Sequence, residues 1–278
     1  MKESEFKALV SLLDDKDPVI EAQIEAQLIS LGREIVPRLE TAWVTEENPE
    51  VQRRIEEIIQ LIQRQSTIEG LRKWQQSGGK DLLEGWQWVT RSQYPDLDPT
   101  IFTHEISRIA NKIWLEFRSG MRISDKLAKI NRILFETERY KANRRSPFDP
   151  QNNYLNTLLQ SKKGSPISLG IFYMIICRQL DLHVGGIQLQ NYFVLVYPDS
   201  DPPVYIDIFS QGAFFHKRDL AQFLRENQLD EDPKYYEPNS HLVIILALIR
   251  YLMECYQRRK MPQKVRELEA LLQAFDAD

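Results

Sequence analysis

A long apolar run that begins at Pro166 constrains the fold more than any other part of this sequence. Residues 166–177 read Pro-Ile-Ser-Leu-Gly-Ile-Phe-Tyr-Met-Ile-Ile-Cys and follow directly on Gly164-Ser165. Proline is favoured in the first turn of a helix, so Gly-Ser-Pro suits a helix start. A helix on the surface would show a polar face, which this run lacks. The run therefore predicts a helix that is buried on most sides.

Two segments that follow this helix are typical of β-strands. Residues 190–196 read Gln-Asn-Tyr-Phe-Val-Leu-Val, and residues 204–209 read Val-Tyr-Ile-Asp-Ile-Phe. Aromatic and β-branched residues dominate both segments, and Gly, Pro and Asp bound them. Gly185-Gly186 is predicted to be a turn, and it is no phosphate-binding loop because no Lys-Ser or Lys-Thr pair accompanies it. We expect a core in which one buried helix packs on a small antiparallel sheet.

The charge balance argues against binding to nucleic acid. The 278 residues carry 36 Lys and Arg against 40 Asp and Glu, which gives a formal net charge of −4. The basic patches are short and are offset by acids, as on a solvated surface. The N-terminus has no apolar signal core, and no apolar run reaches the roughly 18 residues that span a bilayer. Neither a nucleic-acid partner nor a membrane is expected.

The two cysteines, Cys177 and Cys255, both fall in predicted helices, and neither has a partner at metal-ligand spacing. A disulfide-based scaffold would use more cysteines, so the reducing cytoplasm is the expected compartment. The Asp-rich stretches lack the spacing of a calcium loop. No metal and no cofactor are expected.

The first 65 residues predict a small helical cap. Apolar residues recur at helical spacing on both sides of the segment 14–18, where Asp-Pro ends one helix and starts the next. The pattern Leu-Leu-Asp-x-x-Asp-Pro-Val, with a later Leu-x-x-Leu-Gly, is similar to a HEAT-type repeat, and Asn-Pro-Glu-Val at 48–51 echoes it. Fewer than three units are visible, whereas a solenoid needs about three. We expect a cap, not a free-standing array.

Four tryptophans lie in the helical region that follows, at Trp74, Trp86, Trp88 and Trp114. Tryptophan buries a large apolar area, so these side chains are expected to anchor the core. Lining a ligand groove is the alternative.

Several motifs in a fixed order carry a resemblance to a known family. They are Lys-Ile-Asn-Arg-Ile-Leu-Phe-Glu at 129–136, Tyr-Lys-Ala-Asn at 140–143, Asp-Pro-Gln-Asn-Asn-Tyr-Leu at 149–155 and Lys-Gly-Ser-Pro-Ile-Ser-Leu at 163–169. This set resembles the bacterial SirB-type family, whose central domain is transglutaminase-like and whose tail is tetratricopeptide-like. The resemblance covers about residues 94–272. The tail, with Arg-Tyr-Leu-x-x-x-Tyr at 250–256 and Pro-x-Lys-Val at 262–265, predicts a helical hairpin.

The resemblance implies a papain-like core, in which active members use a Cys, a His and an Asp or Asn. The helix N-terminus lowers the pKa of the thiol, the imidazole takes its proton, and the carboxylate orients the imidazole. On this chain the nucleophile position falls on Ser168, the His position on Tyr192 beside Asn191, and the acid position on Asp207. A serine without a base is a poor nucleophile, and a tyrosine of pKa about 10 is no general base at neutral pH.

A structural interpretation of these positions competes with a catalytic one. In the structural interpretation Ser168 caps a helix, and Tyr192 hydrogen-bonds to Asp207. A further alternative is a site built from Cys177, His216 and Asp207. Cys177 lies near the C-terminal end of its predicted helix, where the helix dipole raises the pKa of a thiol, and this argues against such a site.

We therefore predict an α-rich α+β protein in three segments. These are a HEAT-like helical cap at 1–65, a transglutaminase-like domain with its helical lead-in and small antiparallel sheet at 66–237, and a tetratricopeptide-like hairpin at 238–278. The predicted function is non-catalytic binding of a protein or peptide partner, as an adaptor or regulatory module. Ser168, Tyr192, Asp207 and Asn191 mark the expected cleft of this pseudoenzyme.

Two other functions stay open. A hydrolase or acyl transferase would use an unorthodox Ser168/Asp207 site, with His183 or His216 folding towards Ser168 as the base. A structural or assembly protein would act through a homo-oligomer. An exposed apolar patch on the tail hairpin or on the N-terminal cap would favour that reading.

Overall fold

The computed structural model of the chain describes residues 2–14, 17–189, 192–229 and 232–275. The chain divides into two units, Met1–Arg72 and Lys73–Asp278. The three segments expected from the sequence stay a prediction.

The first unit is helical. It contains α1 (Glu3–Ser11), α2 (Pro18–Ser30), α3 (Val36–Thr45) and most of α4 (Pro49–Gln76). Pro18 begins α2 as predicted, and the carboxylate of Asp17 caps it by accepting a hydrogen bond from the Val19 amide at 2.9 Å. The apolar faces of these helices meet in one cluster, which includes Phe6, Leu13, Leu28, Leu39, Ile55 and Ile58.

The second unit combines helices with a small sheet. Its helices are α5 (Leu82–Arg91), α6 (Pro99–Trp114), α7 (Ile123–Asn131), α8 (Leu155–Ser161), α9 (Pro166–Gln179), α10 (Lys217–Glu226), α11 (His241–Arg258) and α12 (Pro262–Leu272). Its strands are β1 (Lys141–Ala142), β2 (Lys163–Gly164), β3 (Gly185–Leu189), β4 (Tyr192–Tyr197), β5 (Val204–Asp207) and β6 (Ala213–Phe215). β1 and β2 form a short parallel pair, whereas β3 to β6 form an antiparallel sheet in chain order. The predicted α+β class, rich in helix, is confirmed.

Helix α9 is the buried helix that the apolar run predicts. Residues 167–177 are all buried, and Ser165 caps the helix by accepting a hydrogen bond from the Ser168 amide. The ring of Phe193 on β4 lies against α9 at Gly170, where a Cβ atom would come within 2.3 Å of the ring. The same ring lies against Gly186, where a Cβ atom would come within 2.4 Å.

This packing corrects the prediction of a turn at Gly185-Gly186. Both glycines belong to β3, with Gly186 opposite Leu195 in the register with β4. Gly186 leaves the space that the Phe193 ring fills, so the glycine serves close packing within a strand and not chain reversal.

The other face of the sheet packs on α10. Side chains alternate along β4, so Phe193 faces α9 while Val194 and Val196 pack in a cluster with Leu220 and Leu224 of α10. The sheet is therefore covered on both faces, and the ends of its strands are left to form a cleft.

The tail forms the predicted helical hairpin. α12 begins at Pro262, and α11 and α12 pack against each other. Just before α11, Asn239 covers part of the outer edge of β3: its amide donates to Gly186 O at 2.8 Å, and its Oδ1 accepts from the Gln188 amide at 2.7 Å. Across the described ranges, no helix is long and apolar enough to cross a membrane.

The four tryptophans differ in how far they are buried. Trp74 and Trp86 are buried in the core as predicted, and Trp86 Nε1 donates to Asn153 O at 2.8 Å. Trp88 is half-buried. The prediction is wrong for Trp114, which lies at the end of α6 with 63% of its surface exposed. Helical spacing alone does not show whether the last turn of a helix still faces a neighbour.

Candidate functional site

A cleft lies where the start of α9 meets the ends of the sheet strands. It consists of two adjoining hollows of about 480 Å³ and 320 Å³, which share Pro166, Tyr192 and Phe193. We call the larger one the aromatic pocket. Besides the shared residues, its lining comprises Val194, Asp207, Phe209, Ala213, Phe214, Phe215, Asp219, Leu220 and Phe223. The smaller one, the polar pocket, reaches α11 and includes Gln188, Arg250, Tyr251 and Glu254.

Pro166 occupies the helix-start position that faces this cleft. It is the first residue of α9, is half-buried, and lines both pockets. A proline side chain carries no group that can ionise or attack, and its nitrogen carries no proton. At the place where a helix N-terminus would activate a nucleophile, this chain has none.

Ser168 lies away from the cleft, which corrects the prediction that it marks the cleft. The residue is fully buried and lines neither pocket. Its Oγ donates to Asn152 O at 2.6 Å, while the helix cap that the sequence predicted for Ser168 is made by Ser165. Two residues along a helix turn the side chain by about 200°, so Pro166 and Ser168 point in nearly opposite directions.

A buried polar network holds the start of α9 in place. Ser165 Oγ donates to Asn153 Oδ1 at 2.6 Å, and the Ser165 amide donates to Asn152 O at 3.2 Å. Asn152 in turn bonds Asn143 and the carbonyl group of Ser146. These side chains satisfy one another inside the protein, so Ser168 belongs to a buried structural network.

Tyr192 lies on the cleft, but the hydrogen bond to Asp207 that the sequence predicted for it is not formed. The residue is 48% exposed, and its ring packs edge-on against Phe223 with 4.6 Å between ring centroids. Within the described part of the chain, its hydroxyl group makes no hydrogen bond.

Asp207 also lines the aromatic pocket and shapes the loop that follows β5. Its Oδ1 accepts hydrogen bonds from the amides of Phe209 and Ser210, at 2.9 Å and 3.3 Å. This is an Asx turn, which leads the chain into β6. Asn191, the remaining predicted cleft residue, lies outside the described residues.

The alternative site of Cys177, His216 and Asp207 is contradicted by burial. Cys177 is fully buried, and burial raises the pKa of its thiol well above the ordinary value. His216 is exposed just before α10, directly after the edge strand β6, and its amide donates to Asp219 at 2.7 Å. His183 pairs with Asp199 at 2.9 Å.

No imidazole among the described residues reaches the hydroxyl group of Ser168. The second cysteine offers no substitute, since burial raises the pKa of Cys255 to about 12. In the described ranges there is also no group of three His, Cys, Asp or Glu side chains that could hold a metal ion.

Sequence reasoning missed most of the aromatic wall and the arginine that lies in the described lining of the cleft. Phe209, Phe214 and Phe223 come from the β5–β6 loop, β6 and α10, and Arg250 comes from α11. Only Phe214-Phe215 gave a signal in the sequence, because two adjacent aromatic residues are unusual in a strand at the surface. The rest share no pattern in the chain and meet only when the strands end beside α9.

Comparison with known proteins agrees with this fold. A family model for the transglutaminase-like superfamily matches residues 101–250. A UPF0162 protein of Xylella fastidiosa is 26% identical over 174 residues, which cover 60% of this chain and 62% of that protein. A UPF0162 protein of Vibrio cholerae is 28% identical over 145 residues, which cover 52% of this chain and 53% of that protein.

A eukaryotic protein shares a shorter stretch. Mouse F-box only protein 21 is 29% identical over 103 residues, which cover 34% of this chain and 16% of that protein. The chain spans about three-fifths of the length of the Xylella relative. No solved structure matches the chain.

Proposed function

We propose that this chain, which belongs to the transglutaminase-like superfamily, acts without catalysis and binds a protein or peptide partner in the cleft that an active site would occupy. It would serve as an adaptor or regulatory module. The activity, substrates and partners of the whole protein are part of this proposal.

The observation that carries the proposal is the residue at the start of α9. Pro166 lines both pockets and has no nucleophilic atom, while Ser168 is fully buried with its hydroxyl proton bonded to Asn152 O. Covalent catalysis needs a nucleophile and a base within hydrogen-bonding reach of each other. No imidazole among the described residues lies within hydrogen-bonding reach of the Ser168 hydroxyl group.

The surface chemistry of the cleft supports binding. Tyr192, Phe209 and Phe214 expose 48%, 41% and 43% of their surfaces, and all three line the aromatic pocket. Soluble proteins seldom leave several aromatic side chains uncovered in one hollow unless the hollow binds something. The pocket volume of about 480 Å³ is in the range that holds one or two peptide side chains.

We also propose the finer assignments made from the sequence. The ordered motifs support membership of the SirB-type family, and the α11–α12 hairpin supports a tetratricopeptide-like tail. Cys177 and Cys255 are free and buried, which is compatible with the reducing cytoplasm.

Peptide selection tests the binding proposal. A phage-displayed random heptapeptide library is selected on the full chain and on two variants, Tyr192→Ala and Trp114→Ala. Trp114 is the matched control, because it is an exposed aromatic residue that does not line the cleft. We expect peptides that bind the wild type and the Trp114 variant and lose binding to the Tyr192 variant. If no peptide depends on Tyr192, the cleft is not the binding surface.

An activity assay tests the absence of catalysis. The wild type is assayed for incorporation of a fluorescent amine into casein and for hydrolysis of p-nitrophenyl acetate, beside Asp207→Asn. We expect both proteins to match the buffer background. A rate above background that Asp207→Asn abolishes would restore the hydrolase or acyl transferase.

A further inference from the structure

We propose that the aromatic pocket takes a cationic side chain, arginine or lysine, of the bound peptide. This inference rests on the proposed binding function and names the chemistry that the cleft recognises. It follows from what lines the pocket and from one carboxylate oxygen that the fold leaves open.

The wall of the pocket is aromatic on several sides. Six rings contribute to it, those of Tyr192, Phe193, Phe209, Phe214, Phe215 and Phe223. The face of an aromatic ring is electron-rich, and it attracts an ammonium or guanidinium group that lies within about 6 Å of its centroid. A cation with an aliphatic stem also buries that stem against the rings.

The charged residues in the lining are acidic. Asp207 and Asp219 both line the pocket, and its described lining contains no Lys, Arg or His. An acidic side chain of a partner would meet two carboxylates there, whereas a basic one would be attracted by both the carboxylates and the rings.

The carboxylate of Asp207 can accept further hydrogen bonds. Its Oδ1 accepts the amides of Phe209 and Ser210, but its Oδ2 has no hydrogen-bond partner among the described residues. Tyr192 lines the same pocket, and its ring packs against Phe223.

Nearby cationic side chains neutralise only part of the negative charge in the pocket lining. Arg218 lies 3.6 Å from Asp219, and Arg144 stacks over the Phe209 ring at 4.4 Å while it donates to Phe209 O. Arg144 thus occupies one face of Phe209. Asp207 stands without an ion pair among the described residues, with Tyr192 beside it in the same lining.

The test uses the peptides that the selection yields. Their Arg and Lys content is compared with that of the input library. A selected peptide is then made in fluorescein-labelled form with its basic residue as arginine and as citrulline, which has nearly the same shape and no charge. Fluorescence anisotropy measures the binding of both forms to the wild type, to Asp207→Asn and to Asp199→Asn.

The two aspartate variants are matched. Asn at 207 can still accept the two amides of the Asx turn, so the loop keeps its shape while the charge is lost. Asp199→Asn removes the same charge from an exposed site outside the cleft. We expect arginine to bind about tenfold tighter than citrulline in the wild type and in Asp199→Asn, and only about two- to fourfold tighter in Asp207→Asn, where the rings and Asp219 remain.

The outcomes separate this inference from the binding function itself. Peptides that need Tyr192 but show no enrichment of basic residues, or that bind equally with citrulline, would overturn the cationic pocket and leave the binding module standing. A preference for arginine that is as large in Asp207→Asn as in the wild type would also overturn it. A selection that yields no peptide dependent on Tyr192 would overturn both.

Discussion

Cysteine substitutions at positions 166 and 168 would show which residue of α9 faces the cleft. Pro166 is half-buried in the wall of the cleft, whereas Ser168 is fully buried, so Pro166→Cys should expose a thiol and Ser168→Cys should hide one. The natural thiols of Cys177 and Cys255 are fully buried and give the protein a silent background.

The expected difference in reactivity is large. A buried thiol reacts only when the protein opens, and global opening that costs about 5–10 kcal/mol slows the reaction by roughly 10⁴- to 10⁷-fold. Local opening is cheaper, so we expect Ser168→Cys to react at least about 10²-fold more slowly than Pro166→Cys. The helix N-terminus would add to the contrast by lowering the pKa of a thiol at position 166.

The assay follows the reaction of Ellman's reagent with each variant at pH 7.5, in native buffer and in guanidinium chloride. In denaturant, all three thiols of each cysteine variant should react. In native buffer we expect one fast thiol in Pro166→Cys and none in Ser168→Cys or in the wild type. Denaturation curves must show that Ser168→Cys stays folded, and Ser168→Ala reports the stability of the site if it does not. Equal native rates for the two variants would refute this placement of the cleft.

Three further predictions concern stability. The hydrogen bond from Arg108 lowers the pKa of Glu138 from 4.5 to about 2. Glu138 therefore contributes stability above pH 4.5, and that stability is lost as the pH falls to about 2. Glu138→Gln should cost about 1–3 kcal/mol at pH 7 and only a few tenths of a kcal/mol, roughly, near pH 2, as urea midpoints at both pH values would show. Gly170→Ala should cost a net 1–2 kcal/mol, roughly, because its methyl group meets the Phe193 ring, and thermal unfolding measures it. Ser165→Ala should cost about 1–2 kcal/mol through the lost cap, measured by the same unfolding.

Controls and contradicting results are specific to each change. Glu136→Gln, at an exposed glutamate nearby, should leave stability at pH 7 within about 0.5 kcal/mol. A Glu138→Gln loss that persists at pH 2 would rule out the ion pair as its cause. A stabilised Gly170→Ala would mean that the Phe193 ring moves freely. An unchanged Ser165→Ala would mean that neither the cap nor the bond from Ser165 to Asn153 stabilises the start of α9.

The sequence by itself determined the elements and much of the chemistry. The apolar run after Gly-Ser-Pro predicted α9, the β-branched segments predicted β4 and β5, and Pro262 marked the start of the second tail helix. Local pattern suffices for these, because burial of a whole helix or alternation along a strand is written in neighbouring residues. The sequence also shows that residues 164–170 contain no cysteine and that position 192 is a tyrosine.

Only the tertiary structure decided which residues meet. Pro166 and Ser168 both belong to the first turn of α9, and their different neighbours, not the sequence, place one in the cleft and the other in a buried network. In the same way, Trp114 lies at the end of α6 with most of its surface exposed. Gly186 lies in a strand, where the Phe193 ring fills the space that a side chain would take. The pattern of a segment sets its periodicity, but the direction that each face points is set by packing against residues distant in the chain.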